Sequence, residues 1–409
     1  MCFLGNHQSG GGLCSGSQPG YSCAMSILAP YARQLEALKK RSRARNLQAA
    51  AGVDFSSNDY LGLSGDARIA AALSDALDRG VPAGSGGSRL LRGNAPEHQA
   101  LEEKAAEFFG SEAALYLANG FVANLALLST LPRAGDLIVA DELAHASMHD
   151  GIRQSRAKAV FVTHNDPQAF EDAIAAWRAE GGSGTPWIVV ETLYSMDGDF
   201  APVDHLAAIA RRHEAMLLFD EAHATGVFGA DGRGYAGHLE GAENLISLHT
   251  CGKGLGVEGA LVCAPRILID TLINKARPFI FSTAPSPLMA VGVAAALDRI
   301  TGDEGDSLRH QLQERVGAAA RVLCNPLSLA APQSQILPIV IGDDRRTMEL
   351  AGMCQQAGFD VRGIRPPTVP AGTSRLRLSL TLNASVSEIE ALAGILVPRI
   401  KADMAEAAE

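Results

Sequence analysis

Mostly apolar runs of four or five residues recur through the middle of the chain, at 136–140, 160–163, 187–191, 216–219, 245–248 and 260–263. None alternates apolar with polar positions, so each predicts a strand buried on both faces. Helical spacing separates the earlier runs, at 167–180 and 203–214, as βαβ crossovers require. Polar residues gather just past the C-terminal ends of the runs, the edge at which an open α/β sheet binds ligands. Upstream, Leu28, Tyr31, Leu35 and Leu38 predict a helix over 26–47. Further helices are expected over 67–79 and over 97–109, the latter with Leu101, Ala105 and Phe108 on one face and Gly110 as its stop. The glycine-rich stretch 80–96 between them reads as a long functional loop. Downstream, helices over 288–300, 308–322 and 348–357 and strands at 336–341 and 376–380 predict a smaller α+β region. The expected organisation is a tail over 1–24, a helical N-terminal segment over 25–60, a large α/β domain over 61–290 and a small domain over 291–409.

Composition agrees with a folded α/β protein: 409 residues, 47% hydrophobic and 20% charged. A formal charge of −10 repels phosphate backbones, so no nucleic-acid partner is expected. The basic run from Lys39 to Arg45 reads as a solvated helix face. No apolar stretch approaches the ~18–20 residues that span a bilayer, and no membrane partner is expected. Seven cysteines without a C-x-x-C pair imply free thiols in a reducing, cytoplasmic compartment. The first 24 residues carry no apolar period and are expected to be a disordered tail, or the product of a start assigned upstream of Met25. Their His7, Cys2, Cys14 and Cys23 match no zinc-finger spacing, and no metal is expected.

The chemistry begins with Asp220, at the end of one apolar run in LLFDEAHATG, and Lys253, past the end of the next in SLHTCGKGLGVEG. A carboxylate at a buried strand end is costly unless a cation meets it. A lysine in a desolvated site loses basicity and becomes a nucleophile for a carbonyl. Alone, Asp220 is equally a turn cap and Lys253 equally a phosphate ligand or a surface residue. The Walker pattern fails, because Ser247 stands where its first glycine belongs and Gly254 follows the lysine. No G-x-G-x-x-G follows the first strand either. An aspartate and a lysine at consecutive strand ends match the needs of pyridoxal 5′-phosphate (PLP): an amine for its aldehyde and a carboxylate for its ring nitrogen. The phosphate needs a helix N-terminus, and LANGFVANLALL supplies one at Gly120 and Phe121.

The segments FSSNDYLGL, GSGGSRLLRGNAPEHQALE, NGFVAN, HASMHDG, ETLYSMDGDFAPV, DEAHATGVFG, CGKGLG, RPFIFSTA and RPPTVPAGTSRLRLSL then identify a relationship. From about Met25 to its end, the chain resembles the α-oxoamine synthases, a family of fold-type I PLP enzymes. The resemblance implies an aspartate aminotransferase-like fold, with a mostly parallel central sheet and a smaller α+β C-terminal domain. It also implies a homodimer with shared active sites, and condensation of an amino acid with an acyl thioester. IRPPTVPAG, RLRLSLT and RPFIFSTA point within the family to L-alanine and a pimeloyl thioester, carried by coenzyme A or by an acyl carrier protein. A member using glycine and an acetyl thioester is the alternative. A cofactor-free binding protein on the same fold would not need Lys253, Asp220, His145 and His223 intact.

Roles follow by matching position. Lys253 corresponds to the Schiff-base lysine, Asp220 to the partner of the pyridine nitrogen, His223 to the partner of the ring's 3′-oxygen, and His145 to the histidine stacked on the ring. Gly120, Phe121, Ser195 and Thr250 correspond to cofactor contacts, and Ser282 and Thr283 to contacts with a partner subunit's phosphate. Glu191, at its strand end, is expected to position neighbours. Arg375 and Arg377 share a strand face; Arg377, with Asn58, is favoured for the amino-acid carboxylate. Arg45 (or Arg43), Arg365 and Thr368 correspond to residues that meet the acyl substrate. Ala224, Cys251, Arg92 and Asn94 depart from the family pattern beside these positions. Replacing Lys253 by alanine is expected to abolish the ~420 nm absorbance of the bound cofactor and to halt turnover, checked by absorption spectroscopy and a thiol-release assay.

Overall fold

The computed structural model describes residues 27–406. The expectations for the tail and for His7, Cys2, Cys14 and Cys23 lie outside the described residues. The chain divides into two compact units, Met1–Gln48 and Ala49–Glu409. In the first, α1 (Ala29–Lys40) is shorter than its apolar spacing predicts. Ser42 takes a left-handed φ of 55° and ends the helix there. Tyr31, Leu35 and Leu38 of α1 are exposed.

The second unit opens with β1 (Val53–Asp54), α2 (Ala67–Asp78), α3 (Pro96–Phe109), β2 (Ala113–Leu117) and α4 (Gly120–Thr130). Next come β3 (Leu137–Asp141), α5 (Ala146–Gln154), β4 (Lys158–Val162), α6 (Pro167–Ala179), β5 (Pro186–Glu191), α7 (Val203–His213), β6 (Met216–Asp220), β7 (Leu245–Thr250) and β8 (Ala260–Ala264). It closes with α8 (Arg266–Lys275), α9 (Arg277–Ile280), α10 (Pro287–Ile300), α11 (Gly302–Ala319), α12 (Asn325–Leu327), β9 (Ile336–Gly342), α13 (Asp344–Gln356), β10 (Phe359–Asp360), β11 (Gly363–Ile364), β12 (Ser374–Ser379) and α14 (Val386–Glu406). The helix ends follow local chemistry. Asp66 caps α2 by accepting from the Arg68 and Ile69 amides at 2.8 and 3.2 Å. Gly110 closes α3 in the left-handed region at φ 79°.

Seven strands form one sheet in the order β2-β8-β7-β6-β5-β3-β4. All run in one direction except β8, which is antiparallel to both neighbours. Strand β2, AALYL, is the one strand of this sheet outside the apolar runs, and it too is fully buried. Alternate strand residues face opposite layers. Leu137, Val139, Ile188, Val190, Leu217 and Phe219 pack with Phe170 and Ile174 of α6 and Leu206 and Ile209 of α7. Ile138, Val189, Leu218 and Ile246 pack with Leu127 and Leu128 of α4 and Met148 and Ile152 of α5. Burial on both faces explains why the central strands read as unbroken apolar runs.

A three-stranded antiparallel sheet, β11-β12-β9, packs with α13 and α14 around Leu337, Leu350, Leu376, Leu378, Ile389 and Leu396. Phe55 joins that cluster because β1 pairs in parallel with β10. The Ser379 amide then donates to Phe55 O at 2.9 Å and the Leu382 amide to Tyr60 O at 3.0 Å. Residues 55–60 are thereby held beside β12. Among the described residues, no helix is long and apolar enough to cross a membrane, and Cys251, Cys263, Cys324 and Cys354 are buried free thiols.

The glycines around Lys253 are not equivalent. A Cβ on Gly254 would lie 2.3 Å from Thr225 O, whereas one on Gly252 would find its nearest neighbour, Val257 O, at 3.6 Å. Gly254→Ala is expected to cost about 1–3 kcal/mol of stability through this backbone clash, and Gly252→Ala well under that, as read by denaturant unfolding of both variants.

Candidate active site at the C-terminal edge of the sheet

Five parallel strand ends converge on one edge. Gly120 follows β2, His145 follows β3, Glu191 ends β5, Asp220 ends β6, and Lys253 follows β7. The parallel register places Glu191 directly beside Asp220. Both are buried. Asp220 is oriented by two donors: Asn124 Nδ2 reaches Oδ2 at 2.7 Å, and the Ala222 amide reaches Oδ1 at 2.9 Å. Burial, compounded by the charge of Asp220, pushes the Glu191 carboxyl up to about 8. Its Oε1 is buried with no hydrogen-bond partner. Burial also depresses Lys253, against the pull of Asp220 and Glu191. No hydrogen bond or ion pair holds the Lys253 amine among the described residues. Cys251, two residues before it in the chain, is buried with its thiol pushed up, so it stays an unreactive thiol.

His145 caps helix α5, its Nδ1 accepting from the Ser147 amide at 3.3 Å and lying 2.7 Å from Ser147 Oγ. Burial by its surroundings lowers its basicity, and the charge of Asp220 opposes that. Asn124 ties this histidine to Asp220, because its Nδ2 also donates to Ser147 Oγ at 3.0 Å. On the far side, His223 Nδ1 lies 2.5 Å from the buried hydroxyl of Tyr60. Gln335 Nε2 donates to His223 O at 2.8 Å.

The two candidate arginines differ. Arg375 is spent within the protein, on Asp197 Oδ1 at 2.5 Å, Met196 O at 3.1 Å and Thr373 O at 3.0 Å. Arg377 is buried too, but meets only neutral oxygens: Ser195 O at 2.6 Å, Ser379 Oγ at 2.8 Å and Asn58 Oδ1 at 3.1 Å. No carboxylate pairs with it among the described residues. A buried guanidinium without an anion is a receptor for one.

The remaining expected residues divide. Ser195 and Thr250 join the cluster: the Ser195 amide donates to Glu191 Oε2 at 3.2 Å, and Thr250 Oγ1 donates to Ala222 O at 3.2 Å. Gly120 and Phe121 open α4, and Phe121 is exposed. A Cβ on Gly120 would meet Thr250 Cγ2 at 2.5 Å, so glycine is required for that approach. Ser282 and Thr283 lie apart, exposed beside a small cavity lined by Leu117, Ala118 and Val122. Arg365 and Thr368 sit in the loop between β11 and β12, joined by a Thr368 amide to Arg365 O bond of 3.1 Å. Arg45 belongs to the first unit, where it follows α1 and is exposed.

Asn124, Ser147, Tyr60 and Gln335 were not anticipated from the sequence. Asn124 left a signal: it is the one amide in the apolar helix GFVANLALLST, and a buried amide needs a partner. A further ionic bridge stiffens the frame. His164 lies 2.9 Å from Asp141 Oδ1 and 2.9 Å from Asp199 Oδ2, and the two aspartates raise its imidazole to about 10 against the cost of burial. It links the end of β3, which leads to His145, with the turn that carries Ser195.

The residues present fit PLP. A partnerless, weakly basic amine stands by two buried carboxylates, one of them with an orphaned oxygen. Helix α4, eleven residues long, directs its N-terminus to the same edge at a glycine that cannot carry a side chain. A family model described as aminotransferase class I and II matches residues 50–396. The chain belongs to that family, in its α-oxoamine synthase branch. It is 41% identical to an 8-amino-7-oxononanoate synthase of Paraburkholderia xenovorans, over 83% of this chain and 86% of the relative. Among solved structures, it matches an 8-amino-7-oxononanoate synthase of Francisella tularensis with a TM-score of 0.72 and 28% identity, over 86% of this chain and 99% of that one. A serine palmitoyltransferase from S. paucimobilis with bound PLP-myriocin aldimine matches with a TM-score of 0.81 and 25% identity, over 92% and 99%.

Glu191 gives a pH signature. Its folded value of about 8 exceeds the ordinary 4.5, so between these pH values the folded chain binds more protons than the unfolded one. Stability therefore falls as pH rises through that window. Glu191→Gln is expected to flatten this fall in the cofactor-free chain, measured by thermal unfolding from pH 5 to 8.

Proposed function

We propose that this protein condenses L-alanine with a pimeloyl thioester, releasing CO2 and free thiol and forming 8-amino-7-oxononanoate for biotin biosynthesis. The observation that carries the reading is the Lys253 amine, half-buried and without a hydrogen-bond partner among the described residues, at the edge where the buried Asp220 and Glu191 lie. Bound PLP supplies an aldehyde for amines and a ring that takes up the electron pair released at the amino acid's α-carbon. Lys253 is the amine that would hold the cofactor, and its Nζ would serve as the base for the amino acid's α-proton. A depressed basicity suits both tasks near neutral pH. Asp220, held by Asn124 and the Ala222 amide, keeps a proton on the ring nitrogen. His145 and His223 would help hold the ring, His145 by stacking and His223 through its free ring nitrogen. The α4 N-terminus, with the Gly120 and Phe121 amides, receives the phosphate. Arg377 and Asn58 take the alanine carboxylate, because Arg375 is already neutralised by Asp197. Arg45, Arg365 and Thr368 are assigned to the acyl substrate, whose carrier is coenzyme A or an acyl carrier protein.

A homodimer with shared sites belongs to the same proposal. Leu91 and Phe281 are 85% and 70% exposed, as surfaces that a second copy would cover. Ser282 and Thr283, next to Phe281, are assigned to the partner's phosphate. The direct test is thiol release from pimeloyl and acetyl thioesters, each with L-alanine and with glycine. Turnover fastest with L-alanine and the pimeloyl chain supports the reading, and preference for glycine with the acetyl chain sinks it. Arg377→Lys is expected to raise KM for L-alanine by about ten- to a hundredfold, through loss of a charge-assisted pair worth about 1.5–3 kcal/mol. Arg375→Lys should leave that KM within about threefold and lower stability instead, read by steady-state kinetics and thermal unfolding of both variants.

A further inference from the structure

The Tyr60 hydroxyl is fully buried and is faced by His223, Asn58, Arg377 and Gln335, whose Nε2 is already spent on His223 O. It lies 2.5 Å from His223 Nδ1, 3.0 Å from Asn58 Oδ1 and 3.5 Å from Arg377 Nη2. Arg377 can only donate. Asn58 Oδ1 already accepts from that same Nη2 at 3.1 Å. Burial pushes the phenol up, so it keeps its hydrogen. Burial, with the positive charges of Lys253, Arg377 and His145, holds His223 well below the ordinary histidine value, so the imidazole is neutral. One hydrogen therefore sits on the tyrosine and one on the imidazole.

Two arrangements satisfy these groups. In one, Tyr60 donates to Asn58 and accepts from a protonated Nδ1, leaving Nε2 bare. In the other, Tyr60 donates to Nδ1 and the imidazole carries its proton on Nε2. The second is favoured. An imidazole nitrogen is a stronger base than an amide oxygen, and it is the nearer acceptor, at 2.5 Å against 3.0 Å. Asn58 Oδ1 is also the acceptor already supplied by Arg377. His223 Nε2 has no hydrogen-bond partner among the described residues. Whatever occupies the site meets that nitrogen, and the tautomer decides whether it meets a donor or a lone pair.

We propose that Tyr60 is a positioning residue: it donates its single hydrogen to His223 Nδ1, fixes the imidazole with its proton on Nε2, and ties that choice to Arg377 through the same oxygen. The consequence for catalysis rests on the PLP-dependent reading above, whereas the position of the hydrogen does not. The test is 15N NMR of the cofactor-loaded protein labelled in its histidine rings, with His223→Gln identifying the His223 signals. The expected spectrum has a protonated Nε2 and a bare Nδ1 that accepts a hydrogen bond. In Tyr60→Phe, which keeps the ring and removes the hydroxyl, the Nδ1 signal should shift to that of an unbonded nitrogen or the two tautomers should mix. A parent spectrum with the proton on Nδ1, or a variant spectrum identical to the parent, overturns the proposal. If the variant does not retain cofactor, the parent spectrum decides, because Tyr60 is the hydroxyl facing Nδ1. In kinetics, Tyr60→Phe should lower kcat about tenfold and change KM for L-alanine less than about threefold. Lost thermal stability with unchanged kcat refutes the positioning role. A parent protein that turns over neither amino acid with the pimeloyl thioester refutes the functional reading instead, and the NMR arm still decides the tautomer.

Discussion

Two buried carboxylates on neighbouring strand ends share a sheet edge with one half-buried amine. Glu191 and Asp220 are in register on β5 and β6, and strand spacing of about 4.8 Å keeps their chains that close. Like charges at such a distance in a poorly solvated site do not ionise together without a cation. The resulting frustration is visible in the raised Glu191, the depressed Lys253 and the orphaned Glu191 Oε1. Under the proposed function, a cationic ring nitrogen of the cofactor would relieve it by giving Asp220 a partner. The fold spends seven strands and two layers of helices to hold this charge pattern rigid.

A second constraint operates from the other side of the site. Residues 55–60 reach Arg377 because β1 pairs with β10 and the Ser379 amide bonds to Phe55 O. Asn58, Tyr60, His223 and Arg377 then share hydrogens in one network, though they come from three widely separated parts of the chain. The network reaches the sheet edge from the arginine end, as Asn124 and Ser147 reach it from the His145 end. Both networks end on a histidine whose ring nitrogens are assigned by a neighbouring hydroxyl, Tyr60 in one and Ser147 in the other.

Much of this was legible in the residues. Six of the seven central strands announced themselves as unbroken apolar runs, since burial on both faces removes polar positions. The polar residues just past those runs gather at one edge of the sheet. Strand β2, AALYL, lies outside those runs, although neither its length nor its alanines distinguish it from ALVCA of β8. Helix α1 was overread because apolar spacing says nothing of a left-handed Ser42. Of the two glycines beside Lys253, Gly254 alone lies closely against another stretch of backbone.

The sequence by itself determined the class of sheet, the strand ends that carry Asp220 and Lys253, and the family, because each depends on local pattern or on motifs in order. It left Arg375 and Arg377 nearly equivalent, two apart on one strand face. Only the tertiary structure separated them, by bringing Asp197 to one and neutral oxygens to the other. It alone placed Tyr60 against His223 and Asn124 against Asp220. Such pairings join residues about a hundred or more positions apart, and a side chain's partner across that distance is set by how layers pack.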